Sequence, residues 1–134
     1  MHVYSHRVRY HEVDAQYVMF NARFLEVADV AVTELYRRLG WPYQQMVTAG
    51  FDPSVVRALV TYLEPVRFDD IVDVAVTCTK VGNASFDLAA ALTRDGTTVA
   101  TVELVYVNVD RATQRSTPVP PAIADALRSA MHAT

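Results

Sequence analysis

The chain has 134 residues, enough for one domain over 1–134 that buries about two-thirds of its unfolded surface without disulfide or metal staples. Apolar residues make up 51% and charged ones 20%, the balance of a folded globular protein and not of a disordered one. With 12 basic against 15 acidic residues the net charge is −3, which excludes a broadly basic surface for a nucleic-acid backbone.

Residues 1–7 contain no apolar run of signal-peptide length, and no segment reaches the roughly 18 apolar residues of a membrane span. A cytoplasmic location without a membrane span is therefore expected.

Residues 3–10 read as a first strand, with Val3, Tyr4, Val8 and Tyr10 supplying β-branched and aromatic character. A loop through Asp14 leads to a helix over residues 22–39, where Phe24, Ala28, Ala31, Leu35 and Leu39 recur every three or four positions. Asn21 fits its N-cap, and Gly40 and Pro42 end it. Leu25, Val27, Val32 and Tyr36 widen the apolar face beyond one stripe. Such a helix needs cover on more than one side, from a curved sheet or from a second subunit.

Residues 55–64 read as a strand, and then Val72, Val74, Val76 and Cys78 alternate with polar or small neighbours at period two. The turn Gly82-Asn83 leads to Phe86, Leu88, Ala90 and Leu92, and Asp95-Gly96 marks a hairpin into residues 98–109. Pro121 suits the first turn of a short terminal helix carrying Ala124, Leu127 and Met131. The simplest arrangement that buries both patterns is α+β, a five-stranded antiparallel sheet wrapped around one long central helix.

Cys78 falls in an apolar run and reads as a small buried hydrophobe. His2, His6, His11 and His132 show no metal-ligand spacing. On one straight strand His6 and His11 would face opposite ways. No metal or redox cofactor is expected.

Asp14 lies four residues after Tyr10 and seven before Asn21, just ahead of the long helix. A helix start offers N–H groups without intrahelical partners and the positive end of the macrodipole, which suits an oxyanion. On residues alone, Asp14 also fits a loop carboxylate capping a turn, Tyr10 a core aromatic, and Asn21 a plain cap.

The segment Arg7-Val8-Arg9-Tyr10, followed by Glu12-Val13-Asp14-Ala15, Phe20 and the helix, resembles the hotdog-fold acyl-CoA thioesterases of the 4-hydroxybenzoyl-CoA thioesterase and YbgC-like group. Val60-Thr61-Tyr62-Leu63-Glu64-Pro65, continuing to Asp69-Asp70, is similar to a second block of that family. The resemblance implies a homodimer or homotetramer with an acyl-thioester site at the subunit interface. It implies Asp14 as nucleophile or general base, the backbone N–H at Asn21 as oxyanion donor, and Tyr10 as an orienting group.

Many members carry His or Tyr where this chain has Asn21, so a side-chain acid is missing there, and Arg23 is the nearby alternative for polarising a carbonyl. Phe20, Phe24, Val60, Thr61 and Tyr62 are expected to line the acyl pocket. Lys80 and Asn83, in the turn between two middle strands, are expected near the nucleotide. Because that turn holds one lysine, an acyl-carrier-protein thioester stands beside acyl-CoA as substrate. A non-catalytic acyl-thioester-binding protein is the third reading. Coenzyme A would enter only as part of the substrate.

Overall fold

The computed structural model describes residues 1–131; His132 lies outside them. In chain order the elements are β1 (His2–Arg7), a 3-10 turn (Tyr10–Glu12), α1 (Asn21–Arg38), α2 (Tyr43–Thr48), β2 (Pro53–Tyr62), β3 (Ile71–Val81), β4 (Ser85–Arg94), β5 (Thr97–Asn108) and α3 (Pro121–Ser129). The strands form one antiparallel sheet in the order β1-β3-β4-β5-β2.

The two period-two patterns became β3 and β4, and the hairpin at Asp95-Gly96 leads into β5; alternate residues of the three strands form a nearly dry face, where Val72, Val74 and Val76, then Phe86, Leu88 and Leu92, then Val102 and Leu104 are all buried. Onto this face α1 lays Phe24, Val27, Ala28, Ala31, Val32, Leu35 and Tyr36, meeting β1, β3 and β5. The small Ala28 and Ala31 have no exposed surface, so they allow close approach of helix and sheet. Cys78 is buried on β3, as its run suggested, and burial pushes its thiol upward.

Several boundaries differ from the sequence reading, for identifiable reasons. Residues 3–10 do not form one strand: β1 stops at Arg7, and Tyr10 and His11 lie in the 3-10 turn, so His6 and His11 share no strand. The Glu12 carboxylate accepts the Arg9 N–H at 2.6 Å and draws the chain into that turn. The N-cap of α1 is Phe20, and Asn21 is the first helical residue. A polar cap is dispensable because tertiary bonds fix the approach: Phe20 N–H donates to the Glu12 carbonyl at 2.8 Å and Met19 N–H to the Val66 carbonyl at 2.6 Å.

The helix α2 was not foreseen, since six residues are too few to show a period; Pro42 before it and Gly50 after it, at φ 84°, were the available signals. β2 begins and ends two residues earlier than expected. Beyond Tyr62 the N–H groups of Leu63 and Glu64 both turn to the Val99 carbonyl. The terminal helix stops at Ser129, leaving Met131 outside it but packed on the core.

Candidate active site

Asp14 sits in a tight loop between the 3-10 turn and α1. Its N–H donates to the Val18 carbonyl at 3.0 Å, its carbonyl accepts the Tyr17 N–H at 3.0 Å, and its Oδ1 accepts the Gln16 N–H at 2.8 Å. Bridges from Val13 to Met19 and from Val18 to Arg67 close the loop on itself and onto the chain before β3. Tyr17 adopts φ 61°, a left-handed conformation disfavoured for a bulky residue and held by these bonds. The half-buried carboxylate is thus fixed at the entrance to α1.

At that entrance the Asn21 amide is in the first helical turn, where no carbonyl lies one turn back to receive it. The Asn21 carbonyl accepts the Tyr62 hydroxyl at 2.8 Å, and the Tyr62 ring meets Phe24 edge-on at 5.1 Å. These residues, with Val18, Leu63 and Pro65, wall an open cleft of about 310 Å³. Asp14 is not itself in its wall but stands behind Val18, to which its amide is bonded.

The expected site residues separate into those gathered here and those that are not. Asn21, Phe24 and Tyr62 come together in the cleft. Phe20 caps α1 with its ring half exposed, Val60 packs against the core, and Thr61 is exposed on β2. Arg23 is paired with Glu26 at 2.9 Å. Tyr10 is 73% exposed, with its ring against Phe68 at 5.9 Å, so it is not the core aromatic that its residue type allowed.

Lys80 and Asn83 lie at the other end of the sheet. Val18 pairs with Arg67, just before β3 begins at Ile71, and Lys80 is nine residues further on, about 30 Å along a strand. Within one chain they do not meet the cleft.

Sequence reasoning missed the buried pair His6 and Glu12, each 8% exposed, behind the Asp14 loop. His6 Nε2 lies 2.8 Å from Glu12 Oε1, and the Tyr4 hydroxyl lies 3.1 Å from His6 Nδ1. An ionised carboxylate only accepts, so Nε2 is the donor. Burial works to raise the Glu12 carboxyl, but the Arg9 N–H and the His6 ring outweigh it and hold it below the ordinary glutamate value. The register shift between His2 and Tyr4 hid the pair, because it breaks the alternation and lets Val3 and His6, an odd number of residues apart, both face inward. Among the described residues no three His, Cys, Asp or Glu side chains come together as a metal site.

A profile of the thioesterase-like superfamily matches residues 8–127, from the end of β1 into α3. The chain belongs to that superfamily. A curated relative from Aquifex aeolicus (strain VF5), whose name assigns it without certainty to the esterases, is 24% identical over 98 residues, 73% of this chain and 77% of its own.

Among solved structures, a gentisyl-coenzyme A thioesterase superposes on this thioesterase-like chain with a TM-score of 0.85 at 21% identity, covering 94% of this chain and 99% of the other. A Staphylococcus aureus protein solved in complex with CoA gives 0.89 at 16% identity, covering 98% and 84%. Both share its hotdog-like fold.

Proposed function

We propose that this chain is a hydrolase of acyl-CoA thioesters, working as a homodimer, with Asp14 and the Asn21 amide at its centre. The observation that carries the reading is the apolar cleft at the N-terminus of α1, with a half-buried carboxylate held immediately behind its wall. Membership in the thioesterase-like superfamily supports the reaction class, and a structural neighbour that binds CoA supports the carrier.

In this reading the thioester carbonyl carbon is attacked by water that gives its proton to Asp14, or by the Asp14 carboxylate itself. The Asn21 N–H receives the developing oxyanion, aided by the helix dipole. When water attacks, the C–S bond then breaks, the acid is released and the thiolate takes the proton from Asp14. When the carboxylate attacks, C–S cleavage leaves an acyl anhydride on Asp14, which water splits to the acid and the regenerated carboxylate while the thiolate takes a proton from that water. Phe24, Tyr62 and Leu63 hold the acyl group, and exclusion of water from the apolar wall strengthens the bond to the oxyanion.

The test is thiol release from a panel of acyl-CoAs and the same acyl groups on a carrier protein. Cleavage of at least one acyl-CoA is expected, with Asp14→Asn slower by about 10² to 10⁴-fold and unchanged in thermal unfolding. Full activity in Asp14→Asn removes the assigned role. Faster turnover of the carrier-protein thioester transfers the reading to that substrate, which the single lysine of the β3–β4 turn favours. Binding of a non-hydrolysable thioester without cleavage of any substrate leaves a non-catalytic binding protein.

A further inference from the structure

The buried pair His6 and Glu12 takes no direct part in the proposed hydrolysis, yet it lies behind the loop that carries Asp14. A buried polar pair gives up hydration, and packed apolar side chains would stabilise the fold about as well. Its place among the hydrogen bonds points to another role. Residues 12–20 close on themselves in three steps: the Glu12 carbonyl accepts the Phe20 N–H at 2.8 Å, Val13 bridges Met19, and the Asp14 N–H donates to the Val18 carbonyl at 3.0 Å. Asp14 lies two residues inside the base of this loop, and Asn21 one residue outside it. The bond between Glu12 and Phe20 therefore sets the carboxylate against the first amide of α1.

The two legs of that base are anchored separately. The Phe20 leg is held through Met19, whose N–H donates to the Val66 carbonyl at 2.6 Å. The Glu12 leg is held through its side chain: Oε1 accepts the Arg9 N–H at 2.6 Å and the His6 Nε2–H at 2.8 Å, while the Tyr4 hydroxyl, 3.1 Å from Nδ1, steadies the other edge of the ring. His6 itself is fixed in β1, opposite Val72 of β3. A catalytic group on a loop is placed accurately when its supports sit on rigid elements and satisfy one another's polar atoms. His6 and Glu12 meet both conditions.

We propose that His6 is a positioning residue: by holding the Glu12 carboxylate it fixes the base of the loop, and through it the Asp14 carboxylate relative to the Asn21 amide. Its catalytic consequence rests on the hydrolytic reading, whereas the geometry that it imposes does not. Misplacing a reacting group by about 1 Å can cost about 10²-fold in rate.

Three variants of the full chain test the role. His6→Leu removes the donor, and His6→Gln keeps an N–H donor. His6→Leu combined with Glu12→Met replaces the pair by apolar side chains and should melt within about 5 °C of the parent. On the thioester that the parent cleaves fastest, kcat should fall about 10 to 100-fold in His6→Leu and in the double variant, with KM within about twofold. In His6→Gln it should return to within about threefold of the parent. Amide hydrogen exchange, followed by NMR, should quicken at least about tenfold at Asp14 and Phe20 in the double variant and stay unchanged at Ala90 within β4. Parental kcat in the double variant overturns the role, as does an equal loss in His6→Gln. A parent that cleaves no thioester ends the hydrolytic reading instead, and exchange then decides alone: parental rates at Asp14 and Phe20 overturn the positioning, and faster ones uphold it.

Discussion

Glu12 is buried, and its Oε1 takes the Arg9 N–H and the His6 ring while its main-chain carbonyl takes the Phe20 N–H. One residue therefore fastens β1, the 3-10 turn and the entrance to α1. Its folded-state pKa lies below the ordinary 4.5, so its stabilisation is present above that value and fades as pH falls through the lowered one. Glu12→Gln should cost about 2 kcal/mol at neutral pH in urea unfolding, the worth of bonds to a charged acceptor. Below about pH 4 the difference from the parent should shrink. A constant difference across that range would mean that the carboxylate's charge contributes nothing. Tyr62→Phe is the complementary change at the cleft. It keeps the ring against Phe24 and removes only the bond to the Asn21 carbonyl, so thermal unfolding should register about 1 kcal/mol or less.

The elements at the far end of the sheet are tied by Asn108, the last residue of β5, which has no exposed surface. Its Oδ1 accepts the Asp52 N–H at 2.7 Å, and its Nδ2 donates to the Gly50 and Pro118 carbonyls at 3.1 and 3.2 Å. It thus joins the α2–β2 connection to the segment leading into α3. Asn108→Ala should cost about 2 kcal/mol, measured by urea unfolding, because it removes three part-buried hydrogen bonds to the backbone at once. Loss below about 0.5 kcal/mol would show that water replaces the amide. Nothing in the sequence announced this latch, since two of its three partners lie more than fifty residues away along the chain. Elements whose burial follows a period were legible, α1 from its three-and-four spacing and β3 and β4 from alternation, while β5 was legible from the Asp95-Gly96 hairpin turn before it. β2 showed no clean alternation, and the structure gives the reason: nearly all its residues are exposed in the single chain.

Whole-molecule organisation was legible where one chain suffices. The strand count, the wrapped helix and the nearness of Asn21 to Phe24 and Tyr62 follow from local pattern and the family resemblance, whereas Lys80 and Asn83 stand at the opposite end of the sheet. The surface left over explains why a single sequence under-specifies the site. β2 is an edge strand of ten residues, paired on one side by β5, with Val55, Val56 and Leu59 between 42% and 60% exposed. A long apolar edge invites pairing with another chain. On α1, Leu25 and Val30 remain 38% and 42% exposed, the uncovered remainder of a helix too apolar for one stripe. Two copies related by a two-fold axis can satisfy both features at once, because β2 pairs antiparallel with its own copy and the interface is self-complementary. Sedimentation equilibrium at micromolar concentration should therefore give twice the mass of one chain. Val56→Asp, which places a charge on that edge, should shift the protein toward the monomer while leaving its far-UV circular dichroism unchanged. If the proposed site is completed across the interface, thioester hydrolysis should fall in parallel with the dimer fraction. A parent protein that sediments as a monomer would refute the β2 pairing, and a monomeric Val56→Asp with full activity would confine the site to one chain.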